Sequence, residues 1–546
     1  MKHFLSVIFS VATVAFASAQ TPKIFHTDHE AIRIFHDGRP QQHWWVVSPE
    51  VAIDTIQSSA HSVTLVSTVD TLTVSGLRDW EHSDVAIITS KGDTALTRVV
   101  KLPEVLYDNP PAKMRLRPGQ NTLSREQAIF DLDAMMYALL QIHPDIFSVT
   151  GQERLLSAFE QVKSELPDSL TIGELYRHAA PIVSLIGDGH TMVRFPYNSF
   201  FTADLKRMPM SFVISSDGSI IAERTIDSAI PSGAIVKAIN GVADTTMINT
   251  MLPFLSGETR AFRLSRMNQD FITLFELLYG GKEEYAVEYV LPEKSSKKSQ
   301  TVVLPASDFM TIKSRIPAKT QNMPTAPYSY TIDKKIGVAI MDFNECSGRK
   351  EMKQLCDSMF NDLREQGIKK LIIDVRENGG GDSGVGDILL SYVAKKPFTQ
   401  FDKVLYKVTP TTARLIGSTD GLPHIGFSSQ DISNRIQPRS DSEGHFDGET
   451  VLLISNNTFS SGASFAWAFK EAGAGKTVGE ETGGMNVCYG DVVMWQMPLS
   501  EIPVSISWKR FWQMNADEND VHGALPDIAV SASKALPTAM KLLNHK

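Results

Sequence analysis

Cysteine is scarce in this chain of 546 residues, limited to Cys346, Cys356 and Cys488. So small and odd a set excludes the dense disulfide framework of a small secreted scaffold and leaves at least one thiol free. Cys346 and Cys356 could pair, but a chain this long does not need the staple, and they read as core filler. Long hydrophobic runs are also lacking. After the first twenty residues no stretch reaches the ~18 uninterrupted apolar residues of a membrane span. Basic residues are not in excess: 53 Lys and Arg against 62 Asp and Glu give a net charge of −9. That balance argues against nucleic acid as the main partner, and no basic stripe tracks a phosphate backbone. Internal repeats, low-complexity tracts and the G-x-S-x-G elbow are absent. "HTDHE" (His26 to Glu30) does not meet the H-x-x-E-H zinc spacing.

What remains is ordinary globular composition, 42% apolar and 21% charged. At ~150 residues per domain the length suggests three or four domains. The N-terminus "MKHFLSVIFSVATVAFASAQ" has Lys2 and His3, an apolar run and then Ala17-Ser18-Ala19. That is the pattern of a secretory leader cleaved before Gln20, too short and wrongly flanked for a span. No cysteine follows the cleavage point to carry a lipid. The expectation is an exported protein, periplasmic or extracellular, with no membrane span.

From about 41 to 104 the chain alternates in the strand manner, as in "SVTLVSTVDTLTVSG". Pro-rich "YDNPPAKMRLRPG" reads as a linker. From Ser124 the period turns helical, with Ile129, Leu132, Met135, Met136 and Leu139 on one face and Ser124 and Gln127 as a capping box. The helix-like "TIGELYRHAAPIVSLIG" stops at Gly187-Asp188-Gly189. After a strand-rich stretch, strand and helix alternate from near Tyr328 in βαβ fashion. The predicted fold is α/β and multidomain. Residues 1–19 form the leader, 20–120 a β-rich domain and linker, 121–200 a helical segment, 201–320 a β-rich module, and 321–546 the core.

Several motifs invite chemistry. "GGGDSG" (Gly379 to Gly384) satisfies G-x-G-x-x-G, but Arg376-Glu377-Asn378 separates it from its strand. An exported protein also rarely meets nicotinamide cofactors, so a dinucleotide oxidoreductase is disfavoured. "GDSG" lacks the rest of the chymotrypsin-like signature. "SASK" (Ser531 to Lys534) fits S-x-x-K but reads as solvated surface. "NNTFSSGASFAWAFKEAGAGKTVGEETGG", from Asn456, places adjacent serines after the strand "TVLLIS" and before a helix. A hydroxyl there faces unpaired N–H groups and the positive end of the helix dipole. The plainer reading is that Thr458, Ser460 or Ser461 is an N-cap.

Together with "IVSLIGDGHTMVRF", "LIIDVRENGGGDSG" and "HGALPDI", this stretch resembles the landmarks of the tail-specific (C-terminal processing) serine peptidase family. The resemblance runs from about Ser124 to the C-terminus and leaves the front β domain outside. It implies a crotonase-like core of ββαβα type and a PDZ-like module within 201–320, which would grip extended peptide by β-augmentation. An unrelated β-rich insertion is the alternative there. Ser460 falls on the family's nucleophile, and Gly380 and Ser461 on its oxyanion donors. In the lysine-dyad branch the base would stand where this chain has Met485, which cannot accept a proton. The chain is more similar to the branch of the tricorn core and the retinoid-binding-protein modules, in which a histidine before the core is the base. His190 of "GDGHT" matches it, and an ordinary imidazole, pKa ~6.5, suits a serine hydroxyl. The resemblance points to Asp520, or Glu518 close behind, as the acid that fixes its tautomer, and to Asp527 as a structural cap. The implied function is an exported serine endopeptidase acting on polypeptides, without metal or cofactor. The alternative on the same fold is a non-catalytic binding protein for peptides or apolar ligands.

Overall fold

The computed structural model describes the backbone of seven strands between Arg33 and Val100, and residues 110–200, 205–292, 298–316, 326–417, 426–432 and 434–544. The expected leader with its cleavage site, and "HTDHE", lie outside the described residues. The N-terminal strands form a four-stranded and a three-stranded sheet, both antiparallel.

Helix α1 (Arg125–Ile142) starts on the expected capping box. Ser124 Oγ accepts from Gln127 N at 3.2 Å, and Gln127 Oε1 accepts from Ser124 N at 2.8 Å. It is buried on more than the predicted face, Asp131 included. The Asp131 carboxylate accepts the Leu499 and Ser500 N–H groups, each at 2.8 Å, and so clamps a distant strand turn onto α1. Burial pushes its pKa up to about 6. Asp131→Ala strips two buried N–H groups of their acceptor and should cost about 2–4 kcal/mol of stability. Because the folded pKa lies above the unfolded ~3.9, ionisation penalises the native wild type as pH rises through 6. The deficit of the variant, measured by denaturant unfolding, should therefore be larger at pH 5 than at pH 8.

Helix α2 (Ile172–Ser184) has its own capping box, Thr171 with Glu174. The chain then turns through Gly187, at φ +74°, into strand Met192–Val193. That strand pairs antiparallel with Val504 and Ser505 of the long strand Pro503–Gln513. The same long strand pairs with Val487–Gln496 along one edge and, at its far end, with Phe401–Val408. The GDGHT loop is thereby fixed to a sheet that belongs, in sequence, to the end of the chain.

Between 210 and 305 lies an antiparallel sheet in the order Met210–Ile214, Ile220–Thr225, Ile235–Ile239, Glu284–Val290, Gln300–Pro305. Helix α3 (Arg260–Tyr279) packs beside its first strand, whose outer edge carries no neighbouring strand among the described residues.

The core sheet runs β1 (Tyr328–Asp333), β2 (Val338–Phe343), β3 (Lys370–Asp374), β4 (Glu449–Ile454), β5 (Lys476–Gly479), β6 (Ile528–Ala529). The first pair is antiparallel and the rest are parallel. β3 and β4 each carry a continuous apolar stretch, residues 371–373 and 451–454, because helices cover both faces. Helices α4 (Arg349–Glu365), α5 (Ser383–Val393) and α6 (Ser461–Glu471) bury Met352, Leu389, Phe465 and Phe469 on one side. Helix α7 (Ala532–Asn544) covers the other with Ala535, Ala539 and Leu543. All three cysteines are free, and Cys346 and Cys356 are buried, as core filler should be.

Candidate active site

The site is built at the carboxyl ends of β3 and β4. After β3, Asp374 and Arg376 pair at 2.6 Å, and Arg376 Nη1 donates to Ala532 O, tying the strand end to α7. Asn378 is fully buried. Its Nδ2 donates to Phe343 O, its Oδ1 accepts from Gly380 N, and its carbonyl accepts from Phe459 N. One residue thus joins β2, the glycine loop and the turn after β4. That turn is closed by Thr458, whose hydroxyl donates to Val375 O at 2.8 Å and accepts from Ser455 N at 3.0 Å. Thr458 is structural.

Ser460 stands at the mouth of α6 with φ 50° and ψ −129°, a conformation that L-residues avoid. Its side chain makes no capping hydrogen bond, so the N-cap explanation for this serine does not hold. Such strain costs of order 1–3 kcal/mol and persists only where the surroundings enforce it. Here Asn378, Gly380 and Gly484 enforce it: a Cβ on Gly484 would come 3.3 Å from Ser460 N. Ser461 differs, because its hydroxyl is already donated to Gly381 O at 2.6 Å.

Gly380 has φ +106°, and a Cβ there would lie 2.6 Å from Ser460 Cβ and 2.9 Å from Ser461 N. Its N–H, expected in the oxyanion hole, is donated to Asn378 Oδ1 at 2.9 Å. Gly380 therefore contributes room for Ser460 rather than a free donor. Gly380→Ala should lower kcat by about 100-fold by displacing Ser460. Gly379→Ala, whose Cβ would meet nothing within 4 Å, should stay near wild type in the same peptide-hydrolysis assay. The "GGGDSG" stretch is thus accounted for by packing, and its Asp382 caps α5 and pairs with Arg349.

His190 is brought to the same place from the other half of the chain. Its ring lies on Phe459, the residue before Ser460, with centroids 4.4 Å apart. Phe459 stacks in turn on Phe262 of α3 at 4.3 Å, and the Arg266 guanidinium caps Phe262 at 4.6 Å. Ser505 Oγ holds the His190 carbonyl at 2.8 Å.

The two carboxylates that the resemblance pointed to meet other groups in this structure. Glu518 accepts Trp512 Nε1 at 2.8 Å and faces Arg510 at 3.5 Å, while Asp520 accepts the N–H of His522 in its own loop. Those two carboxylates are held by local partners on the far strand and its loop. The carboxylates beside His190 are Asp188 and Glu258. Asp188 Oδ1 is 3.6 Å from His190 Nδ1 and accepts the backbone N–H of His190 at 2.8 Å. Its Oδ2 accepts from Thr191 and Ser507 hydroxyls and faces His143 Nε2 at 3.3 Å. His143 Nδ1 accepts the Asp145 N–H, so the His143 proton sits on Nε2 and points at Asp188. Burial alone would raise the Asp188 pKa, but hydrogen bonding by His143 and His190 holds it well below the usual carboxylate range. Asp527, as expected, ties β5 by accepting Thr477 N at 2.8 Å. Lys534 of "SASK" is exposed at the start of α7.

A cavity of about 880 Å³ opens against this site, and its wall reaches Phe459, one residue short of Ser460. It is lined by Gly379 and Asn457 of the core loops, by Phe262 and Arg266 of α3, and by Ser211 and Val213 of the unpaired strand edge.

A strained, uncapped serine at a strand-to-helix turn, with a histidine ring stacked on the residue before it, suits a serine-type hydrolase. Residues 336–530 match the family model "Peptidase family S41", and the chain is a serine-type peptidase. The fold is similar to that of mature CPAF, with a TM-score of 0.55 at 16% identity over 77% of this chain and 97% of the other. Mature CPAF complexed with lactacystin aligns with a TM-score of 0.56 at 15% identity, over 77% and 98%. The photosystem II D1 C-terminal processing protease aligns at 13% identity over 77% and 98%, with a TM-score of 0.40. No curated protein matches the sequence.

Proposed function

We propose that this peptidase is exported and cleaves extended or unfolded polypeptides through Ser460, His190 and Asp188. The observation that carries the proposal is the backbone of Ser460, at φ 50° and ψ −129°, which presents an uncapped hydroxyl at the mouth of α6. Ser460 Oγ attacks the scissile carbonyl, and His190 takes the proton and returns it to the leaving amine. Asp188, ionised and locked by its own donors, orients the imidazole and stabilises the imidazolium. The Ser461 N–H and the α6 dipole stabilise the oxyanion.

The module between 201 and 320, read as PDZ-like, offers the edge of Met210–Ile214 to a substrate strand along the cavity. A folded substrate could not pair there. Denatured casein should be hydrolysed and a compact, stable domain of similar size left intact. Equal cleavage of both would contradict the extended-substrate reading. A binder of apolar ligands would have no use for the strained serine beside a carboxylate-held histidine.

A further inference from the structure

Glu258 is the group at this site that the hydrolytic mechanism does not use. Both its carboxylate oxygens are buried without a hydrogen-bond partner, and so is His190 Nδ1 across from them. The loop carrying His190 is pressed onto it: a Cβ on Gly189 would lie 2.7 Å from Glu258 Oε2. One ligand atom each from Asp188, His190 and Glu258 lie within 4.8 Å of one another.

We propose that Asp188, His190 and Glu258 form a binding site for a divalent transition-metal cation of the Zn2+ type, and that the bound ion reversibly inhibits hydrolysis. One imidazole and two carboxylates suit Zn2+, whereas Mg2+ and Ca2+ favour oxygen donors alone. Tetrahedral ligands around zinc stand roughly 3.4 Å apart, so the three groups need only draw together. The inhibition follows from the ring. A cation on Nδ1 occupies that lone pair and leaves the imidazole proton on Nε2, which then has none to accept the serine proton. That consequence rests on His190 being the base; the binding itself does not.

The test is calorimetric titration of ZnCl2 into chelator-treated full-length protein carrying Ser460→Ala, with MgCl2 in parallel. One Zn2+ per chain should bind, with affinity at least about 10-fold lower in Glu258→Gln and in His190→Ala. His522→Ala, which removes the separate His522–Glu481 pair, should bind as the parent does. The thermal midpoint of metal-free Glu258→Gln should stay within a few degrees of the parent, so that lost binding is not lost folding. Unchanged zinc affinity in Glu258→Gln, or equal binding of Mg2+, overturns the site. With the active enzyme, the same Zn2+ concentrations should abolish hydrolysis and EDTA should restore it. Binding that depends on Glu258 but leaves hydrolysis untouched overturns the inhibitory role and argues against His190 as the base, while the site itself stands.

Discussion

Ser460→Ala is expected to abolish peptide hydrolysis, with a loss on the order of 10⁴-fold or more in kcat. Ser461→Ala should keep most of it. The two serines are neighbours in sequence and opposites in structure. Ser460 is strained and makes no capping bond, whereas Ser461 spends its hydroxyl on Gly381 O. Losing that bond costs about 1 kcal/mol of stability and leaves the Ser461 N–H in place. A rate assay on a fluorogenic peptide separates the variants. Equal losses in both would move the nucleophile off Ser460.

The parts of this fold that the sequence announces are those governed by local rules. Ser124 and Gln127 form the capping box because a helix start must satisfy its first N–H groups. β3 and β4 read as apolar runs because both their faces are covered. The serine stretch was legible as strand, turn and helix, but its strain was not. The left-handed backbone of Ser460 is enforced by Asn378 and Gly380, which arrive from another strand. The carboxylate beside His190 went unread for a related reason. Asp188 stood in view two residues before His190, but its buried state depends on His143, Thr191 and Ser507, and Ser507 is contributed by the far strand Pro503–Gln513. Glu258 lies in "SGETR", which carries no pattern that distinguishes it from a surface carboxylate. Gly380 matched its motif in identity, while its N–H was taken by a side chain two positions earlier.

His190→Ala should lose about as much as Ser460→Ala, and the double variant should be little worse than either single one, because members of a triad act as a unit. Asp188→Asn should cost about 10²- to 10⁴-fold, since it disturbs the tautomer of His190 without removing the base. Asp520→Asn and Glu518→Gln should stay close to wild type, because Asp520 binds its own loop and Glu518 binds Trp512. The comparison between Asp188 and Glu518 is decisive for the acid. If Glu518→Gln is the costly variant, the local partners of Glu518 must give way in the working enzyme and the assignment returns to the far strand. Near-normal turnover by His190→Ala would mean that the proton goes elsewhere.

The claim at the centre of this account is that Ser460 is a nucleophile activated by His190. A fluorophosphonate probe reacts with an activated serine hydroxyl, and mass-spectrometric mapping of the adduct identifies which one. The account predicts a single adduct on Ser460, absent from Ser460→Ala and strongly reduced in His190→Ala. An adduct on another serine, or labelling that survives both substitutions, would contradict it.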